Sequence, residues 1–224
     1  MGERAAAGGG KWVDVAPERL PRWLENFARR HGPYRETGLT LIAEDGATAE
    51  WRTPPGAGQA ATMTELITEA RRPRRIGLLL ARKGAIAAGI ADGAELISSK
   101  VDRNYVQGRT AAGGWSQQRF ARRRDNQAKA ATADGAGIVG RVLLPSVRDL
   151  AALVTGGDRA AVDAILAAPQ LAPLAAVRVE RFLDVPEPRH AVLVSAIAGA
   201  RAVSVLVKEP AQNDVAQLFG DPES

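Results

Sequence analysis

The sequence predicts an α/β protein in which a mixed sheet is flanked by helices. Three observations support this fold class: short apolar runs bounded by turn residues, apolar residues that recur at helical spacing, and alternation of the two kinds of segment over the last third of the chain. The 224 residues are 46% hydrophobic, which is enough for a substantial core. Aromatic residues make up only 4%, so aliphatic side chains must fill that core.

The first half of the chain reads as a helix followed by two hairpins. Leu20, Trp23, Leu24 and Phe27 recur at intervals of three and four, which predicts a helix from Pro17 to Arg30. The elements predicted after it are strands Gly38–Glu44 and Ala47–Thr53 turned at Asp45-Gly46, a loop over 54–61, a helix Met63–Arg72, strands Arg75–Ala81 and Ala85–Ala91 turned at Lys83-Gly84, and a strand from Ala94 to about Val106.

The second half is predicted to open on a glycine-rich loop and a basic helix. The elements expected there are a loop Gly108–Gly114, a helix from Ser116 to about Asp134 with Ser116 as its N-cap, a strand near Leu150–Val154, a helix Asp158–Ala167, a strand near Val177–Phe182, a helix from about Pro188 to Gly199, and a strand Ala202–Lys208. We expect residues 15–208 to form a single domain, preceded by a flexible leader over 1–14 and followed by an acidic tail over 209–224 that is a candidate mobile segment.

Positive charge is concentrated in one segment. Lys100 to Lys129 contains eight Lys or Arg residues and two Asp, a net charge of +6, whereas the whole chain carries +5. The remainder is therefore slightly acidic. A patch that holds all of the excess positive charge indicates a polyanionic partner, and nucleic acid is the commonest one. A solvated basic face is the alternative.

Several classes of function are excluded by composition. The chain has no cysteine, so disulfides, thiolate metal sites and cysteine nucleophiles are excluded. We expect no metal and no cofactor. Neither histidine, His31 or His190, belongs to a cluster of possible ligands. The spacing of the carboxylates Glu65, Glu69, Asp92 and Glu95 does not indicate a metal site. Both histidines are interpreted as incidental helix-end or surface residues. The longest apolar stretch, 76–91, is interrupted by two cations, so no membrane span is expected and the predicted location is the cytoplasm.

Ala112–Arg122 is the most informative stretch of the chain. It sets the glycine pair Gly113-Gly114 and two glutamines at the entrance of the basic helix. Glycine allows backbone conformations and close approaches that other residues do not, and a glutamine amide can orient a water molecule. The segment resembles the Gly-Gly-Gln loop of archaeal and eukaryotic class one release factors, in which a serine and an Arg-Phe pair follow. The plain alternative is a glycine turn that leads into a helix.

The resemblance has a displaced glutamine. When the glycines, Ser116, Arg119 and Phe120 are aligned with that pattern, Trp115 occupies the position of the catalytic glutamine and Gln117 follows two residues later. This arrangement is similar to that of the Vms-like release factor family, above all its actinobacterial-type branch. Members of that family are peptidyl-tRNA hydrolases that act in ribosome rescue. The resemblance is dense from about Arg75 to Ala131.

The family resemblance implies a fold, a site and partners. The implied fold is a ribonuclease-H-like release-factor catalytic domain. The implied catalytic residues are Gln117, Gly113, Gly114 and Ser116, with Gln118 as the alternative to Gln117. The implied RNA-binding residues are Arg109, Trp115, Arg119, Arg122, Arg123 and Lys129. The implied partners are the large ribosomal subunit and peptidyl-tRNA, with no membrane.

Other readings remain open at this point. Trp115 can stack on an RNA base or pack on the protein. Eukaryotic relatives cut the tRNA end itself, which makes a tRNA 3′-end endonuclease an alternative, and a non-catalytic RNA- or ribosome-binding protein is another. Residues 135–140 fit Gly-x-Gly-x-x-Gly, but no apolar strand precedes them, so we interpret them as the end or a kink of the basic helix and not as a dinucleotide site.

Overall fold

Two sheets form the framework of the described residues. The computed structural model describes residues 3–82, 84–103 and 132–210. The chain divides into two compact units, of which the first contains residues up to Thr53, Gln59–Glu69 and the chain from Val203, and the second contains Pro54–Gly58 and Ala70–Ala202. The single domain predicted over 15–208 differs from this division. Within the described ranges, no strand of one sheet pairs with a strand of the other.

The first unit is built on an antiparallel sheet. In the described part of the chain its order is β1-β2-β11-β5-β4-β3. Its strands are β1 Glu3–Ala5, β2 Lys11–Val15, β3 Tyr34–Thr37, β4 Thr40–Ala43, β5 Thr48–Arg52 and β11 Val203–Lys208. Helix α1 Leu20–His31, preceded by a 3-10 turn at Pro17–Arg19, packs Trp23 edge-on against Trp51 with ring centroids 4.7 Å apart. Helix α2 spans Met63–Arg71.

Half of the predicted flexible leader over 1–14 forms strands. Residues 3–5 and 11–15 form β1 and β2, and β2 pairs with β11 across five residues, including Val13 with Val205. Val13 and Val15 are buried, whereas Trp12 and Asp14, which alternate with them, are only partly buried; this is the pattern of a strand with one covered face. The pairing is with a strand near the other end of the sequence, so no local signal predicts it.

The second unit is a mixed sheet covered on both faces. Its order among the described residues is β10-β9-β6-β7-β8. The strands are β6 Arg75–Arg82, β7 Ala85–Asp92, β8 Glu95–Arg103, β9 Ala152–Gly157 and β10 Arg178–Leu183. β7 is antiparallel to β6 and β8, whereas β9 and β10 run parallel to β6. This order and these directions agree with the ribonuclease-H-like core that the family resemblance implies.

Helices cover the two faces of this sheet unequally. Residues 132–143 (α3), Arg159–Leu166 (α4) and Ala172–Ala176 (α5) pack on one face, with 3-10 turns at Leu144–Asp149 and Pro169–Leu171. Helix α6, His190–Arg201, packs on the other. Along β6, Leu79 and Ala81 face the first group while Leu78 and Leu80 face α6, so this strand is buried on both sides.

The Gly-x-Gly-x-x-Gly motif of residues 135–140 lies inside α3. The helix continues through Gly140 to residue 143, so the interpretation that the motif ends the basic helix is wrong. A side chain at Gly135 would meet Ile86 and Ile165, whereas Gly140 lies within van der Waals range of Leu144 and Leu171. Glycine at position 135 therefore allows α3 to pack closely on Ile86 and Ile165. Because helix and not strand precedes the motif, it lacks the context of a dinucleotide fingerprint.

Gly157 terminates β9 in a conformation that favours glycine. Its φ is +99°, and a Cβ atom there would collide with the carbonyl oxygen of Ala81. We expect Gly157→Ala to lower the free energy of unfolding by about 2 kcal/mol or more. Gly137→Ala is the matched control. A Cβ atom at this helical glycine would meet only the end of the Arg141 side chain, at 3.4 Å. We therefore expect the free energy of unfolding to rise by about 1 kcal/mol. Urea unfolding curves measure both changes; equal effects would contradict the proposed strain.

Candidate functional site

Every predicted site residue lies outside the described residues. This applies to the predicted catalytic residues Gly113, Gly114, Ser116, Gln117 and Gln118, and to the predicted RNA-binding residues Arg109, Trp115, Arg119, Arg122, Arg123 and Lys129. Their roles and their arrangement remain predictions. The elements that carry the two ends of this segment are described, and they define where on the fold it starts and ends.

The segment starts at the carboxyl end of β8. The last residue of this strand, Arg103, pairs with Ala85 of β7, and Ala85 pairs in turn with Arg82, the last residue of β6. β6 and β8 both run antiparallel to β7, so both strands end at the same edge of the sheet. Gly157 of β9, which pairs with Ala81, and Leu183 of β10, which pairs with Gly156, lie at this edge too.

The segment returns to the sheet at the same edge. Gly135, near the first described residues of α3, lies against Ile86, and Ile86 pairs with Ala81 and Asp102. Ala136, Ile138, Val139 and Leu143 then bury α3 in the core. Residues 104–131 therefore begin and end at the carboxyl ends of β6, β8, β9 and β10. This is the edge at which open α/β sheets place their binding sites.

Charged side chains line the same edge. Arg82 Nη1 donates a hydrogen bond of 2.8 Å to the carbonyl oxygen of Val185 and lies 3.5 Å from Asp184 Oδ1. Arg103 Nε lies 3.9 Å from Glu187 Oε1. These groups are substantially exposed, so the pairs contribute little to stability. These contacts instead hold the 184–187 connection against the ends of β6 and β8, beside the start of the 104–131 segment.

The β9–α4 turn is fixed by Asp158. Its amide donates to the carbonyl oxygen of Ala81 at 2.7 Å, and its Oδ1 accepts from the amides of Ala160 at 2.9 Å and Ala161 at 3.4 Å. The side chain is therefore the N-cap of α4, which satisfies amides that the helix itself leaves unpaired. The helix itself begins at Arg159, one residue after its predicted start at Asp158.

His31 lies at the end of a helix, as predicted, but its side chain is buried. It is the last residue of α1, but it is only 6% exposed and is not a surface residue. Its Nδ1 lies 2.8 Å from Asp45 Oδ2, and its Nε2 lies 3.7 Å from Glu209 Oε2. The pKa of Asp45 is lowered, first by the hydrogen bond from the Ala47 amide and then by the one from His31. The pair connects α1 to the β4–β5 turn.

A second polar cluster was also missed from the sequence. It consists of Thr155, Arg159, Arg178, Glu180 and Phe182, which line an open pocket of about 560 Å³ in the second unit. A threonine in an otherwise apolar strand, followed by Gly-Gly-Asp-Arg, is the only local signal of it.

The described residues contain neither a metal-binding cluster nor a membrane-spanning helix. No group of three or more His, Cys, Asp or Glu residues there has the geometry to bind a metal ion. No helix in the described ranges is long and apolar enough to cross a lipid bilayer.

The mixed sheet, with helices on both of its faces, makes the second unit an α/β structure. The chain belongs to the family described as Actinobacteria/chloroflexi VLRF1 release factor, whose sequence model matches residues 74–206. The matched range covers more than half of the chain, and it includes all of the predicted site residues. The sequence-based identification of the family is thus confirmed, and membership supports a release-factor-like function.

Solved structures give a more distant likeness. One, described as an archaeal protein, is 13% identical with a TM-score of 0.39, and the match covers 85% of this chain and 66% of that chain. Another, the archaeal translation termination factor aRF1, is 12% identical with a TM-score of 0.35, and the match covers 87% of this chain and 66% of that chain. The chain thus spans just under two thirds of each of these structures. Among curated proteins, none matches the chain.

Proposed function

We propose that the protein is a cytoplasmic peptidyl-tRNA hydrolase that frees nascent chains from stalled ribosomes. The observation that carries this proposal is the family match over 74–206, which contains the Ala112–Arg122 stretch. The position of residues 104–131 supports it, because a segment that begins and ends at one edge of a sheet covered on both faces can reach into another particle. The substrate is the ester that joins the peptide to the tRNA in the large ribosomal subunit.

In this proposal the glycine loop brings Gln117 to the ester. The Gln117 amide orients a water molecule for attack on the ester carbonyl, and Gly113 and Gly114 allow the backbone to approach the substrate closely. Ser116 caps the following helix. The ribosome orients the ester, so the protein contributes proximity and one or two hydrogen bonds to the developing negative charge. No step requires a metal or a cofactor.

Basic residues position the loop. Arg109, Arg119, Arg122, Arg123 and Lys129 belong to the segment of net charge +6, and we propose that they contact phosphates of ribosomal RNA and of the tRNA acceptor end. Trp115 is proposed to stack on an unpaired base. These contacts place the loop, and the chemistry depends on the glutamine.

A stalled-ribosome assay tests the function directly. Purified ribosome–nascent chain complexes are incubated with the protein, and both the peptide and the 3′ end of the tRNA are analysed. Free peptide together with tRNA that retains an intact terminal CCA is the expected result. A shortened tRNA would indicate phosphodiester cleavage, the endonuclease alternative. Binding without either product would indicate a non-catalytic ribosome-binding protein.

Substitution of the loop glycines separates catalysis from folding. We expect Gly113→Ala and Gly114→Ala each to reduce peptide release at least tenfold, because a Cβ atom restricts the backbone at the point of closest approach. The melting temperature should change by no more than about 2 °C, since these residues are proposed to lie outside the core. Single-turnover release and thermal unfolding measure the two effects. A large loss of stability with normal release by the folded fraction would contradict the proposal.

A further inference from the structure

The sheet of the first unit has one face that α1 does not cover. Val13, Val205 and Trp51 pair across β2, β11 and β5, all three are buried, and α1 packs Trp23 against Trp51. Successive side chains of a strand point to opposite faces, so the residues between these three lie on the side away from α1. On that side even Leu206, in the central strand β11, is only partly buried. We call this side of the sheet the open face.

A tryptophan and an arginine are stacked on the open face. Trp12 pairs with Leu206 across β2 and β11, and it is partly exposed. Arg52, the last residue of β5, is exposed, and its Cζ lies 4.3 Å from the centroid of the Trp12 ring. Within the described ranges Arg52 forms no ion pair. A guanidinium group held on a ring keeps its N–H donors available for phosphate, and RNA bases stack on guanidinium planes.

Two further cations lie on the same face. Lys208 of β11 and Arg35 of β3 belong to one row across the sheet, because the residue pairs between β11, β5, β4 and β3 connect them. Both residues are exposed, and neither forms an ion pair in the described part of the chain. Together with Arg52, they give the open face three cationic groups for an anionic partner.

The acids of the open face do not balance these cations. Asp14 is already engaged, because its Oδ1 accepts a hydrogen bond of 2.7 Å from Ser204, a buried residue of this face, and lies 3.4 Å from Arg4 Nη2. Glu50 is the remaining acid on this side of the strands. The face therefore carries an excess of positive charge, which fits a polyanion.

The open face combines stacking groups with cations. Partly exposed Trp12 and Leu206 lie beside the exposed cations. Single-stranded nucleic acids bind to such surfaces through stacked bases and paired phosphates, and a four-stranded sheet with aromatic residues holds two or three bases. The five strands from β2 to β3 span about 19 Å, which is enough for such a segment. We propose that the open face binds single-stranded RNA, with a base stacked on Arg52 and phosphates at Lys208 and Arg35.

This surface is distinct from the segment that carries the predicted catalytic residues. β1 to β5 lie outside residues 74–206, the range that the family model matches. The choice of RNA among polyanions rests on the proposed function, because a protein that acts on ribosomes meets RNA. The stacked arginine and the excess of cations do not depend on that function.

Fluorescence anisotropy with a labelled oligouridine of about ten nucleotides tests the inference. The full chain is used with Arg119→Ala, Arg122→Ala and Arg123→Ala in place, so that binding by the predicted basic helix is reduced. In this background, Arg52→Gln should weaken binding about tenfold, the loss expected for one stacked base.

Two double variants complete the set. Arg35→Gln with Lys208→Gln should lower the slope of log affinity against log salt by about 1.4, the change expected for two phosphate contacts with a single strand. Arg19→Gln with Arg22→Gln removes the same charge from exposed positions at the start of α1, away from the open face, and should bind within twofold of the background protein. All of these residues are exposed, so thermal unfolding should show equally folded proteins.

The outcomes are decisive for the open face. The inference is overturned if the background protein binds no oligouridine at low salt, or if both sets of open-face substitutions leave binding unchanged. Equal weakening by the α1 control would overturn it too, as would displacement of the RNA by polyglutamate as effectively as by unlabelled oligouridine. Oligouridine binding through Arg52 by a protein that releases no peptide would contradict the proposed function alone. Peptide release with binding that is insensitive to Arg52 would contradict the open face alone.

Discussion

Gln117→Ala is expected to reduce the rate of peptide release by about 10²–10³ while ribosome affinity stays within a few-fold of wild type. Removal of one hydrogen bond to the developing charge of an acyl-transfer transition state typically has this cost. Affinity changes little because the amide is proposed to act on the reacting ester and not to anchor the protein. Single-turnover release from ribosome–nascent chain complexes, with sedimentation as the binding assay, measures the two quantities separately.

Gln118→Ala is the matched control for this substitution. It removes the same amide one residue further along the same predicted helical turn. If Gln118→Ala is the inactive variant, the proposed alignment is wrong by one residue. If both variants release peptide at the wild-type rate, the glutamine mechanism is wrong.

Removal of three arginines should affect binding instead of chemistry. The triple variant Arg119→Ala, Arg122→Ala, Arg123→Ala is expected to bind ribosomes at least about tenfold more weakly at moderate salt, because three phosphate contacts and their released counterions are lost. The slope of log affinity against log salt should fall by about 2–3 for the same reason. Binding measured over a salt series gives both values.

A second triple variant controls for net charge. Arg19→Ala, Arg22→Ala, Arg29→Ala removes the same charge from an exposed surface of the first unit. We expect its affinity and its salt slope to stay close to those of wild type. Equal weakening by both triple variants would mean that total charge, and not the basic helix, determines binding.

The sequence predicted best where local signals and tertiary packing agree. The β6–β7 hairpin follows two apolar runs around Gly84, and α4 begins at Arg159, within one residue of its predicted start. The family could be identified from one short motif because its glycines and glutamines have no equivalent explanation as core residues. The β9–α4–β10 order follows from alternation of apolar strands with a helical pattern.

Long-range pairing and local irregularity were not predictable. β2 forms a strand because Val13 pairs with Val205, and nothing near residue 13 encodes that contact. The bulge between Arg178 and Phe182 depends on how β10 meets β9, which periodicity cannot show. The burial of His31 likewise depends on Asp45, fourteen residues away in the β4–β5 turn. The geometry of the predicted catalytic loop stays a prediction, because those residues lie outside the described ranges.

The central position of β11 has a consequence for how the chain folds during its own synthesis. β11 lies between β2 and β5, and it is translated after every other strand of that sheet. Until it emerges from the ribosome, β2 and β5 each present an unpaired edge, which is a risk for aggregation. Translation of the first unit begins before that of the second, but the sheet of the first unit is completed last. The mixed sheet of the second unit can form earlier, because β6 to β10 precede β11 in the chain. Loss of residues 203–208 should thus leave the nascent chain with an ordered second unit and an aggregation-prone first one.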